Sequence, residues 1–310
     1  MQSIKKITVA SRPSKLALYQ ANLVVAQLTE KFPKIKFEVV TYKTLGDKKL
    51  QQHISDIGGK GVFVKELEEA LLNGKADIAV HSVKDMPCKM LAEFVMPTIL
   101  MRAKTNDCLI SRDNSALTEL KSGAIIGTSS LRRSNQLKLI RPDLKYTDIR
   151  GNIDSRINKI NGNYDAVVLA YAGLERSGLI NKTSQIFTLD QVLPAAGQGA
   201  IGVQCLTNNQ NIIDIIKAIN DEESFSCISV EREIMQHLGG HCLAPIACHA
   251  KILHNRIHVA AKVMSCDSTA VLLETLSGEV VDGSKIAKQL ATKLKQQGAL
   301  EMIIAAKEKI

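Results

Sequence analysis

The sequence predicts an α/β protein with largely parallel, doubly wound sheets, followed by a smaller C-terminal α+β domain. Three observations lead there. Short apolar runs alternate with helical spacings from residue 7 to residue 176, as strand-helix-strand units require. Charged and hydroxyl residues stand directly after those runs, where open α/β sheets bind ligands beyond the carboxyl ends of their strands. After Gln204 the texture changes to two helical segments, three short strands and a last helix.

Residues 7–10, Ile-Thr-Val-Ala, read as the first strand. Ala17, Ala21, Val24, Leu28 and Phe32 then recur at helical spacing with Ser14 as N-cap. Residues 37–42 are extended. Residues 45–61 are polar and glycine-bearing, too long for an ordinary connection, and are expected to form a mobile flap. A helix over 62–73 ends at Gly74, and the apolar strand 76–81 exits into Ser82, Lys84 and Asp85.

The pattern then repeats. Residues 124–126 form a strand that runs into Gly127-Thr128-Ser129-Ser130-Leu131-Arg132-Arg133 and a helix. The strand 145–149 ends at Arg150-Gly151-Asn152, and the helix after it carries Arg156. The apolar strand 165–170 leads to Arg176. Beyond residue 204, helices are expected over 211–220, 223–238 and 284–297. Strands are expected over 246–253, 256–264 and 270–276, the first two joined by a tight turn at His254-Asn255.

A chain of 310 residues is long for one core, so two or three domains are expected. Forty Lys and Arg against 31 Asp and Glu give a formal charge of +9, which suits acidic partners. Aromatic content is only 4%, tryptophan is absent and the basic residues are dispersed. Stacking on nucleic acid is therefore disfavoured, and a small polyanion is the better match. No apolar run approaches the roughly 20 residues that span a bilayer, and no apolar signal core precedes the first strand. A cytoplasmic protein is expected. Seven cysteines without a CxxC pair fit reduced thiols there.

The segment 127–133 sets two hydroxyls and two guanidinium groups at a helix N-terminus, an anion-binding arrangement. Arg132, Arg133, Arg150, Arg156 and Arg176 fall within successive strand-helix units, and the guanidinium fork suits carboxylate or phosphate. With Arg12, Ser82, Lys84 and Ser129, they give two basic rims expected to face one cleft. Asp85 is the lone acid in that setting. Its plain reading is a salt bridge; its functional reading is an ionised group that stabilises a developing cation and relays a proton. Gly197-Gln198-Gly199-Ala200-Ile201-Gly202 matches GxGxxG, but a Pro-containing loop precedes it and a strand follows, so a glycine-rich crossing between domains is the better reading. His237, His241, Cys242, Cys248 and His249 lack standard zinc spacing, and no metal is expected. Cys242, in a Gly-rich loop before Pro245, is a candidate attachment thiol or nucleophile; the other cysteines read as small buried residues.

Taken together, Ser11-Arg12-Pro13-Ser14-Lys15-Leu16-Ala17, Gly58-Gly59-Lys60-Gly61-Val62-Phe63, His81-Ser82-Val83-Lys84-Asp85, the segment 127–133, Arg150-Gly151-Asn152 and Gly240-His241-Cys242 resemble the porphobilinogen deaminase family, the hydroxymethylbilane synthases. The resemblance covers nearly the whole chain. It implies two periplasmic-binding-protein-like domains around a cleft and a C-terminal α+β domain. The implied domains are 1–100 with 200–220, then 101–199, then 221–310, the chain returning to the first domain after about residue 200.

The resemblance further implies a covalent dipyrromethane cofactor on Cys242, held by Ser82, Lys84, Asp85, Ser129, Arg132, Arg133 and Arg150. Porphobilinogen would be bound by Arg12, Ser14, Phe63, Arg150, Arg156 and Arg176, with Lys60 bordering the flap. Asp85, assisted by Lys84, would stabilise the azafulvene cation formed as ammonia leaves. Four pyrroles would be added head to tail and the linear tetrapyrrole released by water. A monomer acting in haem biosynthesis, without nucleic-acid or membrane partners, is implied. The family commonly has an acid three places before the attachment cysteine. Gly239 stands there in this sequence and His241 directly precedes Cys242, so different hydrogen bonding around the thiol is expected. Two other classes fit parts of the pattern: a non-catalytic binder of small anions, and a nucleic-acid binder.

Overall fold

The computed structural model describes residues 4–48, 61–240 and 244–308. In chain order the elements are β1 (Lys6–Ser11), α1 (Lys15–Lys31), β2 (Lys36–Thr41), α2 (Leu45–Lys48), α3 (Lys65–Leu72), β3 (Ile78–Ser82) and β4 (Phe94–Ile99). Then follow β5 (Asp107–Ser111), β6 (Ile125–Gly127), α4 (Leu131–Ile140), β7 (Lys145–Thr147), α5 (Ile153–Asn158), β8 (Ala166–Ala170), α6 (Tyr171–Arg176) and β9 (Gln185–Ile186). The chain ends with β10 (Ile201–Leu206), α7 (Gln210–Lys217), α8 (Glu222–His237), β11 (Ile246–Leu253), β12 (Arg256–Met264), β13 (Val271–Glu279), α9 (Gly283–Gln296) and α10 (Ala299–Glu308).

These elements divide into two compact units, Met1–Arg102 with Ala200–Phe225, and Ala103–Gly199 with Ser226–Ile310. The first contains a five-stranded sheet of order β2-β1-β3-β10-β4. β1 pairs in parallel with β2, from Lys6 opposite Lys36 to Ser11 opposite Thr41, and with β3 through Val9 opposite Ile78. Helices cover such sheets on both faces, so the central strands are apolar throughout. Ile7, Val9, Ile78, Val80 and Val203 accordingly pack with Ala21, Val24 and Leu28 of α1 and Ile216 of α7. Ser14 caps α1 as expected, its Oγ accepting the Ala17 N–H at 3.3 Å.

The second unit contains a sheet of order β7-β6-β8-β5-β9, where β6 pairs in parallel with both β7 and β8. It also contains the antiparallel sheet β11-β12-β13, with α9 and α10 packed on it. His254 and Asn255 both take positive φ, 50° and 60°, the backbone of a two-residue type I′ hairpin turn.

Each large sheet departs from the largely parallel expectation at one strand. β10 runs antiparallel to β3 and β4, and β5 antiparallel to β8 and β9. Both strands open soon after the chain has passed from one unit to the other, near residues 102–103 and 199–200. They therefore enter without the crossover helix that a parallel partner needs. The expected flap begins with the short helix α2, and residues 49–60 lie outside the described residues. The helix expected from residue 62 starts at Lys65.

Gly197 and Gly199 take φ of +74° and +86°, and β10 follows them. A Cβ on Gly199 would lie 2.5 Å from the carbonyl oxygen of Ala103, so this turn excludes every side chain. Gly199→Ala should lower the unfolding free energy by about 1–3 kcal/mol, the scale of one strained backbone position, in urea melts followed by circular dichroism. An unchanged midpoint would contradict the strain.

Candidate functional site

Parallel pairing brings the carboxyl ends of β1 and β3 to one edge of the first sheet, so Arg12 and the segment 82–85 emerge together. A cavity of about 60 Å³ there is lined by Arg12, Ser14, Phe63, His81, Ser82 and Asp85, among others. Ser82 Oγ exchanges hydrogen bonds with the Gln20 amide at 2.9 and 3.1 Å. Asp85 ends a single 3-10 turn, Val83–Asp85, and is exposed. Lys84 beside it is half-buried.

The Arg12 guanidinium is already occupied by a carboxylate. It donates from Nε and Nη2 to Asp47 at 3.2 and 2.6 Å, while its carbon sits 4.1 Å from the centroid of the Phe63 ring, a cation-π contact. Thr44 donates to the same carboxylate from its N–H at 3.2 Å and its hydroxyl at 2.7 Å. Burial pushes the Asp47 carboxyl up, but Arg12 and Thr44 outweigh it and hold the group below its ordinary value. A side chain at Gly46 would collide with the Phe63 ring, so the glycine makes room for this stack.

In the second unit the carboxyl ends of β6, β7 and β8 likewise share an edge. Ser129 Oγ donates to Ile149 O at 2.8 Å and accepts the Ile149 N–H at 3.0 Å, tying the segment 127–133 to the strand exit that carries Arg150. Gly151, at φ +111°, offers its carbonyl to Arg156 Nε at 2.8 Å. Arg176 Nη2 donates to Gly199 O at 2.7 Å.

Arg132 and Arg133 do not stand at an open helix mouth. They are 4% and 7% exposed and enclose Asp107, which is fully buried. Arg132 Nη1 lies 2.7 Å from one Asp107 oxygen and donates to Leu193 O at 2.7 Å. Arg133 donates to the other oxygen from Nε and Nη2 at 3.0 and 2.7 Å, and from Nη1 to Val168 O at 3.1 Å. Gln198 Nε2 adds a bond to Asp107 at 3.0 Å. The physical reason is the cost of an isolated buried carboxylate, which calls the cations inward. Burial pushes Asp107 up, but the charges of Arg132 and Arg133 more than offset it and leave the carboxyl well below its ordinary range.

Of the residues singled out in the sequence, Arg12, Ser14, Phe63, Ser82 and Asp85 line one cavity; Gln20, Asp47 and Asp107 were not singled out. Gln20 left a signal: it falls on the apolar stripe of α1 and is only 3% exposed. Asp107 left a weaker one, a carboxylate opening the apolar run Cys108-Leu109-Ile110. Burial raises the Cys108 and Cys205 thiols to about 12 and about 11, leaving both inert as nucleophiles at neutral pH. Lys60, His241 and Cys242 lie outside the described residues. Among the described residues no group of three or more His, Cys, Asp or Glu could hold a metal ion. No helix among them is long and apolar enough to cross a membrane.

Each of the two mixed α/β sheets gathers arginine and hydroxyl side chains at its carboxyl edge, and in the first a carboxylate, Asp85, lines the cavity with them. Residues 7–214 match the family described as "Porphobilinogen deaminase, dipyromethane cofactor binding domain", and residues 225–296 its C-terminal domain. The porphobilinogen deaminase of Alkaliphilus metalliredigens is 39% identical over 97% of this chain and 95% of its own. That of Limosilactobacillus reuteri is 43% identical over 93% and 96%. Among solved structures, the periplasmic VFT2 domain of Bordetella pertussis BvgS is 17% identical with a TM-score of 0.39, covering 74% of this chain and 93% of its own. The chain belongs to the porphobilinogen deaminase family. It is an enzyme of tetrapyrrole synthesis, with the family's dipyrromethane-binding domain over residues 7–214.

Replacing Asp107 with Asn leaves two buried guanidinium groups facing a neutral partner. A loss of about 3–5 kcal/mol in unfolding free energy is expected from denaturant melts. Because the folded carboxyl titrates below the unfolded one, its contribution is complete above about pH 5 and is lost progressively as the pH falls through the unfolded value of about 3.9 toward the folded one. Wild type should therefore lose more stability than Asp107→Asn between about pH 5 and pH 3. Parallel curves would remove Asp107 from this role.

Proposed function

We propose that this chain is a transferase, hydroxymethylbilane synthase, which condenses four porphobilinogen molecules head to tail with loss of ammonia. The chain grows on a dipyrromethane primer held by Cys242, and water releases hydroxymethylbilane. The observation that carries this reading is the cavity that sets Asp85 among Arg12, Ser14, Phe63 and Ser82. Each pyrrole of porphobilinogen bears an acetate and a propionate, so a ligand of this class needs guanidinium and hydroxyl donors, an aromatic face and one anion near the reacting carbon.

The residues present fit the primer. The Arg12 fork holds a carboxylate in this structure, that of Asp47, which supports its use for a ligand carboxylate in exchange. When bound, the primer supplies a nucleophilic pyrrole carbon and a covalent anchor. Ser82, Lys84, Ser129 and Arg150 hold its carboxylates, and Arg132 and Arg133 contribute the donors that Asp107, Leu193 and Val168 leave. Arg12, Ser14, Arg150, Arg156 and Arg176 bind those of the incoming porphobilinogen, and Phe63 packs on its ring. Asp85, assisted by Lys84, stabilises the positive charge that develops as the aminomethyl group leaves as ammonia. Asp85 then takes the proton lost when the ring recovers its aromaticity. Lys60 borders a flap over this site.

Three domains, 1–100 with 200–220, 101–199 and 221–310, belong to the same reading, as does a cytoplasmic monomer without nucleic-acid partners. The reduced thiols Cys88, Cys108, Cys205, Cys227, Cys248 and Cys266 support that compartment. Asp85→Asn should retain the bound primer while turnover falls by about 10²-fold or more, the range of a lost general acid-base, measured as porphobilinogen consumption. Near-normal turnover would remove Asp85 from the mechanism. Cys242→Ser should give a folded protein without the pyrrole chromophore; an active, pyrrole-loaded variant would refute the attachment.

A further inference from the structure

A second line of polar side chains reaches the cavity from inside the first unit. His81, on β3, lines the cavity and is 6% exposed. Its Nε2 lies 2.9 Å from Oε1 of Gln204, which is fully buried on β10. The two strands are antiparallel, with Gln204 opposite Ala79 and His81 opposite Gly202, so Gln204 and His81 are diagonal neighbours on one face. Gln204 Nε2 in turn donates to Glu68 Oε1 at 2.9 Å from the first turn of α3.

The direction of this chain follows from its outer end. An amide can present either its oxygen or its nitrogen, but an ionised carboxylate only accepts. Glu68 therefore claims the Gln204 NH₂ and turns the amide oxygen toward His81. Facing an acceptor, Nε2 must carry a proton. Neutral His81 is then the Nε2–H tautomer, and its ring N–H is directed at Gln204 rather than at the cavity. An imidazole N–H aimed into the cavity would compete for the carboxylate that lines it. Burial and the charge of Glu93 push the Glu68 carboxyl upward, with the Gln204 hydrogen bond opposing them, as expected of a carboxylate set into the fold.

We propose that Glu68 and Gln204 are positioning residues for the reaction at this cavity, acting by holding His81 as its Nε2–H tautomer with its N–H turned away from Asp85. The proposal rests on the assignment of Asp85 to the chemistry; the tautomer itself does not, which lets the two be tested apart.

Long-range proton-nitrogen correlation spectra of the ¹⁵N-labelled holoenzyme distinguish the two imidazole tautomers, and His81→Asn assigns the signals. Wild type should show His81 as Nε2–H. Glu68→Gln, which changes no volume and lets the amide at 204 face either way, should give a mixture. Gln204→Leu should give one as well, and kcat in both variants should fall about fivefold with KM unchanged, the scale of one lost hydrogen bond. Wild-type His81 as Nδ1–H, or an Nε2–H signature that survives both substitutions, would overturn the proposal. A change of tautomer without any loss of kcat would overturn its role in the reaction. If instead Asp85→Asn stays active while the wild-type tautomer is Nε2–H, the reading of Asp85 fails and the relay stands as structure alone.

Discussion

In a parallel sheet every strand delivers its carboxyl end to the same edge, and each unit of this chain contains three such neighbours, β2-β1-β3 and β7-β6-β8. That constraint collects residues far apart in sequence. Arg12 and Asp85 meet at one edge, and Ser129, Arg150 and the helix bearing Arg176 start from the other. Helices that cover the faces leave this edge as the place where polar side chains can gather without entering the core. The antiparallel strands β5 and β10 do not disturb the arrangement, because each lies on the far side of the parallel triplet.

Electrostatics then divides the arginines into two kinds. Asp107 draws Arg132 and Arg133 into the interior and closes their charge against its own. Asp47 holds Arg12 near the surface, where its side chain remains 20% exposed. A buried pair that costs much to break suits a brace for α4, whereas a pair that water still reaches in part costs less to break. Net charge does not reveal this division. The same residue type is enclosed or left partly open to solvent according to how deeply its carboxylate lies.

Local patterns were legible in the sequence and long-range partners were not. The Ser14 cap, the strand-turn-helix at 127–133, the hairpin at His254-Asn255 and the strand-like reading of residues 201–205 all follow from spacing within a few residues. β4 was obscured by Pro97, which an edge strand tolerates but a central strand would not. β5 was obscured by brevity and by the charge at its first position. Asp47 and Arg12 lie 35 residues apart, Asp107 and Arg133 26 apart, and no local periodicity connects such pairs. The resemblance carried by Ser11–Ala17, the segment 81–85 and the segment 127–133 supplied the activity. The structure supplied the internal carboxylates that pair with its arginines.

At the centre of the proposed mechanism, an acidic pyrrole oligomer is built while tethered to one cysteine of a basic enzyme. Intact-mass spectrometry of the purified holoenzyme, before and after porphobilinogen is added, tests it most directly. The expected spectrum shows the polypeptide plus two pyrrole units, then a ladder of further single-unit increments as substrate is supplied. A catalytically active protein whose mass equals that of its amino acids alone, with and without substrate, would contradict it.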